Sequence, residues 1–479
     1  MPTAVDVLIV GAGVTGCSIA ASLSRDELRV VVVERRHDIV DETSKSNTGV
    51  MDCGWECEPG TLESDLIRSS SPQWEEIAER LDVPWDRCGG ISLARTDAEA
   101  AQVDEIVSRA HANGVASVRK VVGNAAVREI APFVGEGILA AAEVPDEGII
   151  DSIRLTLGYA ELAARNGVQF RMNSPVVSAE TRNRRIQLVH TPSETFAPRL
   201  VVNAAGLGAD TVSRLLGGED FRIWPRRGEY LLVDREFGRS INKIVTQLPN
   251  SHTRGVMVVP TTHGSLLLGP TAEDEEDKSD RSTHRDVLRR VLEECATLVP
   301  SVVEAPVIKT FAGLRPASEV NYRVGLSEGV DNLIQACGIR STGVSASPAM
   351  GEHVRELIGD AGVSGPPARG ALDRIPHRLR LSEVADPAEM AANPLGCTVV
   401  CACEKVTALE IHDALTAPIP ARSVAGVAKR TRATWGRCQG SACLSGVTFL
   451  TSLHLDGEAW EVPMSEPGAT LGVARAGHA

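Results

Sequence analysis

Residues 5–16 read Val5-Asp6-Val7-Leu8-Ile9-Val10-Gly11-Ala12-Gly13-Val14-Thr15-Gly16, and this run decides the fold. Val5 to Val10 reads as a short buried strand. Val14 to Leu23 reads as a helix opening on small residues, and Arg29 to Val33 as a second, β-branched strand ending at Glu34. Strand, turn, helix and strand within about thirty residues make a βαβ unit and imply a parallel sheet. The turn matches G-x-G-x-x-G. Gly11 allows the tight bend, Gly13 lets a pyrophosphate approach the backbone, and Gly16 lets helix and strand pack closely. The helix N-terminus offers free N–H groups to the phosphates. Glu34 is placed to accept from ribose hydroxyls, with Arg35 beside it in the cofactor set. The run predicts a dinucleotide site; by itself it does not choose between FAD and NAD.

Further segments extend this reading. Leu200 to Asn203 and Leu333 to Ala336 read as buried strands far along the chain, so the cofactor domain is discontinuous. The first runs into the small residues Ala204, Ala205 and Gly206. The second runs through Gly338-Ile339-Arg340-Ser341-Thr342-Gly343-Val344 into another helix N-terminus. A second helix N-terminus aimed at a ligand suits the pyrimidine edge of a flavin, where negative charge gathers on reduction. Gly228–Val233, Gly255–Val259 and Ser265–Leu268 alternate with period two, as in an antiparallel sheet with one covered face. The expected fold is α/β, α+β overall: a Rossmann-type cofactor domain (1–85, 149–217, 326–363) and an antiparallel-sheet substrate domain (86–148, 218–325). A linker (364–393), a small helical cysteine domain (394–450) and a mobile tail (451–479) follow. The acidic run Glu273 to Asp277 reads as a solvated loop.

At 479 residues, with 43% hydrophobic and 23% charged residues, the chain has ample material for two to four domains and is not disordered. Aromatics are 3%, so Val, Leu, Ile and Ala must fill the core. A net charge of −14 leaves no basic footprint for nucleic acid. The N-terminus lacks a basic segment before its glycine motif, and no run reaches the ~20 apolar residues of a spanning helix. A soluble, cytoplasmic protein is expected.

The fingerprint, Thr43–Gly49 (TSKSNTG), Arg227–Leu232, Leu266–Thr271, Gly313-Leu314-Arg315-Pro316 and the late glycine turn occur in this order. Together, over residues 5–360, they resemble the D-amino-acid-oxidase-like flavoproteins. That family includes the large subunit of anaerobic glycerol-3-phosphate dehydrogenase and the L-2-hydroxyglutarate oxidases and dehydrogenases. The resemblance implies a two-domain flavoenzyme with extended FAD. Ser44 would contact phosphate, Asn47 and Thr48 the flavin, Val177 the adenine side, and Ser341 to Val344 the isoalloxazine, with Ala205, Gly206 and Gly338 close by. Relatives place His in a V-x-H-x-G pattern. Here the segment is Val50-Met51-Asp52-Cys53-Gly54, so Asp52 stands where the base is expected.

Of eleven cysteines, five (Cys397, Cys401, Cys403, Cys438, Cys443) fall in one short stretch. Cys401-x-Cys403 and Cys438-x4-Cys443 supply two close pairs of thiolates, which favour Fe–S or zinc. The surrounding sequence resembles the bacterioferritin-associated-ferredoxin-like [2Fe-2S] domain. Gly436, Gly440 and Ser441 fit tight turns, while Lys429, Arg430 and Arg432 are expected to offset the cluster's charge. Cys397 reads as a bystander, and the remaining cysteines as buried small hydrophobes, Cys53 near the flavin.

For substrate, Arg315 suits a carboxylate or phosphate held by two hydrogen bonds. Arg226, Arg227 and Tyr230 are weaker candidates, and His252 and His263 are alternative bases or anchors. The expected activity is FAD-dependent removal of hydride from the hydroxyl-bearing carbon of a small anion, glycerol 3-phosphate or a 2-hydroxy acid. Electrons would leave through the cluster to a partner protein or quinone-linked subunit, which could bring the chain to a membrane surface. Alternatives are an amine or imino-acid (opine-type) oxidoreductase and a zinc- or flavin-binding regulatory protein.

Overall fold

Thr3–Val10 lies between Thr195–Asn203 and Val30–Val33 and runs parallel to both, with Val7 opposite Leu200 and Val30. Val7, Leu8 and Ile9 are fully buried, as a central strand covered on both faces requires. Leu333–Cys337 adds a further parallel strand beside Thr195–Asn203, and Gln169–Arg171 flanks Val30–Val33. The eight-stranded sheet thus draws strands from across the first 337 residues, which makes the cofactor domain discontinuous. The helices Val14–Leu23, Ser152–Arg165 and Ser347–Asp360 pack together on one face. This computed structural model describes residues 1–249, 254–384, 386, 388–466 and 468–472; His252 lies outside the described residues.

A second, nine-stranded sheet carries at one end the long pair Ile223–Val233 and Val307–Ser318. Its pairings are antiparallel except that Ile244–Gln247 runs parallel to Gly90–Ala94, so the expected antiparallel sheet is in fact mixed. The long pair sets Arg226 opposite Arg315 and Tyr230 opposite Phe311. The Tyr230 and Phe311 rings stack at 4.7 Å. Glu273–Asp274 joins this sheet as an edge strand, and arginines engage the acidic run: Arg290 on Glu273, Arg226 on Asp274 and Arg222 on Glu276. The run starts as a paired edge at Glu273–Asp274, and Glu275 to Asp277 continue as the loop expected, with Glu276 and Asp277 exposed.

Beyond Asn393 a short hairpin, Val399–Cys401 with Val406–Thr407, leads into the helices Ala408–Thr416, Val424–Thr431 and Leu444–Leu455. Thr407 caps the first of these in a reciprocal box with Glu410. The preceding segment is no free linker. Glu27 and Ala368 donate across to Pro366 and Arg25 carbonyls, Ile375 is buried, and Arg380 and Arg378 pair with Asp82 and Glu161. Nor is the tail detached: the amides of Val424 and Ala425 donate to the Pro463 and Met464 carbonyls. Composition misled there, because backbone pairing and long-range ion pairs leave no local pattern. Among the described residues no helix is long and apolar enough to cross a membrane.

Candidate functional site

A cavity of about 940 Å³ opens at the carboxyl edge of the parallel strands, where they meet the second sheet. The fingerprint lines one end. Gly11 has φ +109°, and a Cβ there would stand 2.5 Å from the Ala204 carbonyl oxygen. One on Gly16, behind the cavity, would come within 2.0 Å of the Gly11 carbonyl oxygen. The missing side chain of Gly13 leaves a cradle whose far wall is the Ser44 hydroxyl, which accepts from the Val14 amide at 2.9 Å. Phosphate oxygens fit such a gap between a helix N-terminus and a hydroxyl.

The Glu34 carboxylate accepts from the amides of Ala12 and Arg36, each at 2.8 Å. Burial pushes its carboxyl up and those two amides oppose the shift. Arg35 lines the cavity beside it, paired to Glu42 at 2.9 Å. The Asn47 amide holds its own loop by donating to the Ser44 carbonyl and accepting from Gly49. Thr48, Ala205, Gly206, Gly338 and Ser341 to Val344 line the same space. Val177 is not brought there: its side chain is exposed and its amide donates to His190, and Val176 is the neighbour that reaches the wall. In a strand start with alternating faces, a shift of one position turns a side chain to the other face.

Arg315, Tyr230 and Asp52 also line the cavity. The Arg315 guanidinium donates to the Arg226 and Arg227 carbonyls, at 3.3 Å each, and to the Thr271 carbonyl. Burial pushes its pKa down, and among the described residues no carboxylate contacts it. Arg226 and Arg227 are instead spent on Asp274 and Asp280. Arg340 also lines the cavity and, among the described residues, makes no ion pair. His263, a candidate base or anchor from the sequence, instead holds Asp151 at 2.8 Å and lines a separate cleft.

Asp52 is buried and sits in a cluster that sequence reasoning missed. Arg254 reaches Glu147 at 2.5 Å, Glu56 at 2.9 Å and Asp52 at 3.6 Å, with its guanidinium over Trp55. Nothing local marks Glu147 or Arg254, which come from remote loops. Glu56 alone had a signal, four residues from Asp52.

The four cysteines converge as two pairs, Cys403 facing Cys438 and Cys401 facing Cys443. Backbone N–H groups, led by that of Ala442, bring the Cys438 thiol down to about 7, so this turn favours thiolate. Two thiolate pairs suit the two irons of a small cluster. Lys429 and Arg430 do not serve that charge. Their side chains are 2% and 7% exposed and bind Asp38 and Asp41 of the cofactor domain, all at 2.9 Å. Arg432 is likewise engaged, with Glu404.

A dinucleotide cradle, an adjoining chamber lined by Arg315 and two facing pairs of cysteines define a flavin-dependent oxidoreductase with an iron–sulfur module. Residues 6–357 match the family described as FAD dependent oxidoreductase, and the chain belongs to it. Residues 399–448 match the BFD-like [2Fe-2S] binding domain. The protein thus takes FAD and a [2Fe-2S] cluster. A glycerol 3-phosphate dehydrogenase of Caloramator mitchellensis is 32% identical over 97% of this chain and 98% of its own length. A glycerol 3-phosphate oxidase of Mycoplasma pneumoniae is 29% identical over 74% and 93%. The FAD-bound structure of L-alpha-glycerophosphate oxidase from Mycoplasma pneumoniae superposes with a TM-score of 0.73 at 26% identity, covering 78% of this chain and 99% of that one.

Proposed function

We propose that the protein is a glycerol 3-phosphate dehydrogenase. One observation carries the substrate class: Arg315 is half-buried at the cavity wall, hydrogen-bonded to carbonyl oxygens and, among the described residues, in no ion pair. A half-buried charge with no direct carboxylate partner is under-compensated, and an anionic substrate supplies one. Arg340, also without an ion pair among the described residues, gives the cavity a second positive charge, which suits a phosphate dianion. The similarity to glycerol 3-phosphate dehydrogenase along nearly the whole chain points the same way.

In this reading Ser44, Gly13 and the following helix N-terminus hold the pyrophosphate, Glu34 the ribose, and residues 341–344 the flavin edge. Arg315 binds the substrate phosphate, Tyr230 with Phe311 forms the apolar wall that excludes water, and Asp52 takes the hydroxyl proton. FAD, when bound, supplies the acceptor for the hydride. Cys401, Cys403, Cys438 and Cys443 hold the cluster, which suits one-electron exit to an acceptor protein or quinone-linked subunit. The seven cysteines outside the cluster set are unpaired, which suits the cytoplasm as the compartment.

The test is anaerobic bleaching of the flavin by glycerol 3-phosphate, glycerol, L-2-hydroxyglutarate and proline. Glycerol 3-phosphate should bleach it and glycerol should not, because only the former offers an anion to Arg315. Bleaching by proline with none by glycerol 3-phosphate would replace this reading with the imino-acid one.

A further inference from the structure

Among the described residues, Asp52, Glu56 and Glu147 surround a single cation, Arg254, at the cavity wall. Three ionised carboxylates against one guanidinium leave a net charge of −2 in a poorly solvated space, which the site cannot hold without taking up a proton. The geometry shows which carboxyl takes it. Glu147 accepts from Arg254 at 2.5 Å and from the Trp55 indole N–H at 3.3 Å, so it is satisfied as an anion. Glu56 meets Arg254 on one side and the Asp52 carboxyl on the other. Asp52 Oδ1 accepts from the Gly54 amide at 2.6 Å, while its buried Oδ2, with Arg254 Nη1 at 3.6 Å, has no hydrogen-bond donor among the described residues. An acceptor that faces another acceptor is satisfied only when one of the two is protonated.

We propose that Asp52 and Glu56 form a proton-sharing carboxyl pair, in which Glu56 carries the proton and positions Asp52 as the acceptor of the substrate's hydroxyl proton. The inference rests on the reading of Asp52 given above. In the step, the carbinol O–H bond breaks and an O–H bond forms on Asp52. The hydride leaves the same carbon for FAD with both electrons, so the alcohol is oxidised to a carbonyl and the flavin is reduced. Glu56 is a positioning residue. Its O–H steadies the Asp52 anion before the step, much as one member of a carboxyl dyad steadies the other. Arg254 and Glu147 fix the pair. The other charged or titratable groups near the cluster are Cys53 and Cys57 on the same segment, Glu63 on the helix Leu62–Ser70, Asp146 beside Glu147, Tyr322 and Arg340. Burial raises the Glu56 carboxyl; Arg254 opposes the shift, and Asp52 and Glu147 add to it.

Infrared difference spectra of the FAD-loaded protein test the shared proton. Wild type minus Glu56→Gln should contain the carbonyl stretch of a protonated carboxylic acid, shifted in heavy water, and wild type minus Glu147→Gln should not. The pH profile of flavin reduction by glycerol 3-phosphate tests the positioning role. Glu56→Ala removes the donor that favours ionised Asp52, so the acid limb should move up by about one unit. Glu56→Gln, whose amide N–H can replace the lost donor, should bring it back. Absence of the band from the Glu56→Gln difference, or its appearance in the Glu147→Gln difference, overturns the shared proton. A band at Glu56 together with full-rate flavin reduction by Asp52→Asn overturns Asp52 as acceptor instead. Failure of glycerol 3-phosphate to reduce the wild type, with the band in place, counts against the substrate reading alone.

Discussion

Arg315 concentrates the substrate question in one side chain. Its carbonyl partners fix the guanidinium without neutralising it, so the charge is held rigid for a ligand. Arg315→Ala should lose a charge-assisted contact worth about 2–4 kcal/mol, lowering kcat/KM by roughly 30- to 1000-fold. The loss should appear mainly in KM, with FAD content unchanged by absorbance. Arg315→Lys should recover little, since a point charge does not reproduce the planar fork. An unaltered kcat/KM in Arg315→Ala would place the anion elsewhere. Arg315 was legible in the sequence because it sits in a short motif next to proline. Arg254 was not, since its meaning comes from Asp52, Glu56 and Glu147, which only the folded chain brings to it.

Among the elements, the fingerprint helix and the docking helix behave oppositely as objects of sequence reading. The strand, glycine turn and helix of residues 3–23 announce themselves, because periodicity and glycine stereochemistry are local. A methyl group at Gly16 would meet the Gly11 carbonyl oxygen at 2.0 Å, forcing helix and strand apart. Gly16→Ala should therefore weaken FAD binding at least about tenfold by fluorescence titration, a cost of ~1.4 kcal/mol or more. The helix Val424–Thr431 read only as a basic stretch near cysteines, since Asp38 and Asp41 lie nearly four hundred residues away. Burial pushes the Asp38 carboxyl up, but Arg430 and Lys429 override this and hold it well below its ordinary range. A carboxyl depressed in the folded state contributes stability that is present above its unfolded value, near 3.9, and lost as the pH falls further. Hydrogen exchange over residues 424–431 should thus stay slow at pH 7 and 5 and quicken below about pH 4. Asp38→Asn, which leaves buried Arg430 without a carboxylate and Lys429 with Asp41 alone, should destabilise the docked state by about 3–5 kcal/mol and bring that fast exchange to neutral pH. Slow exchange in the variant would mean that apolar packing alone holds the cluster module.

For the whole molecule, the two sheets, the discontinuity and the cluster module were readable from motifs in order. The way the parts lock together was not. The stretches around 364–393 and 463–466 look featureless in composition, yet the first docks on the cofactor domain through Asp82, Glu161 and Arg154, and the second pairs with Val424 and Ala425 of the cluster module and with Arg36 of the cofactor domain. This rigid seating is what the account requires if electrons pass internally from flavin to cluster. Cys438→Ser removes a soft ligand that iron needs, so the cluster should be lost while substrate still bleaches the flavin and turnover with an external acceptor falls sharply. The most direct measurement follows flavin absorbance and electron paramagnetic resonance together in the wild type during anaerobic titration with glycerol 3-phosphate. The flavin should bleach and the rhombic signal of a reduced [2Fe-2S] centre should rise with it, the latter absent in Cys438→Ser. A flavin that bleaches while the cluster stays silent, or a quartet filled with zinc, would contradict the account.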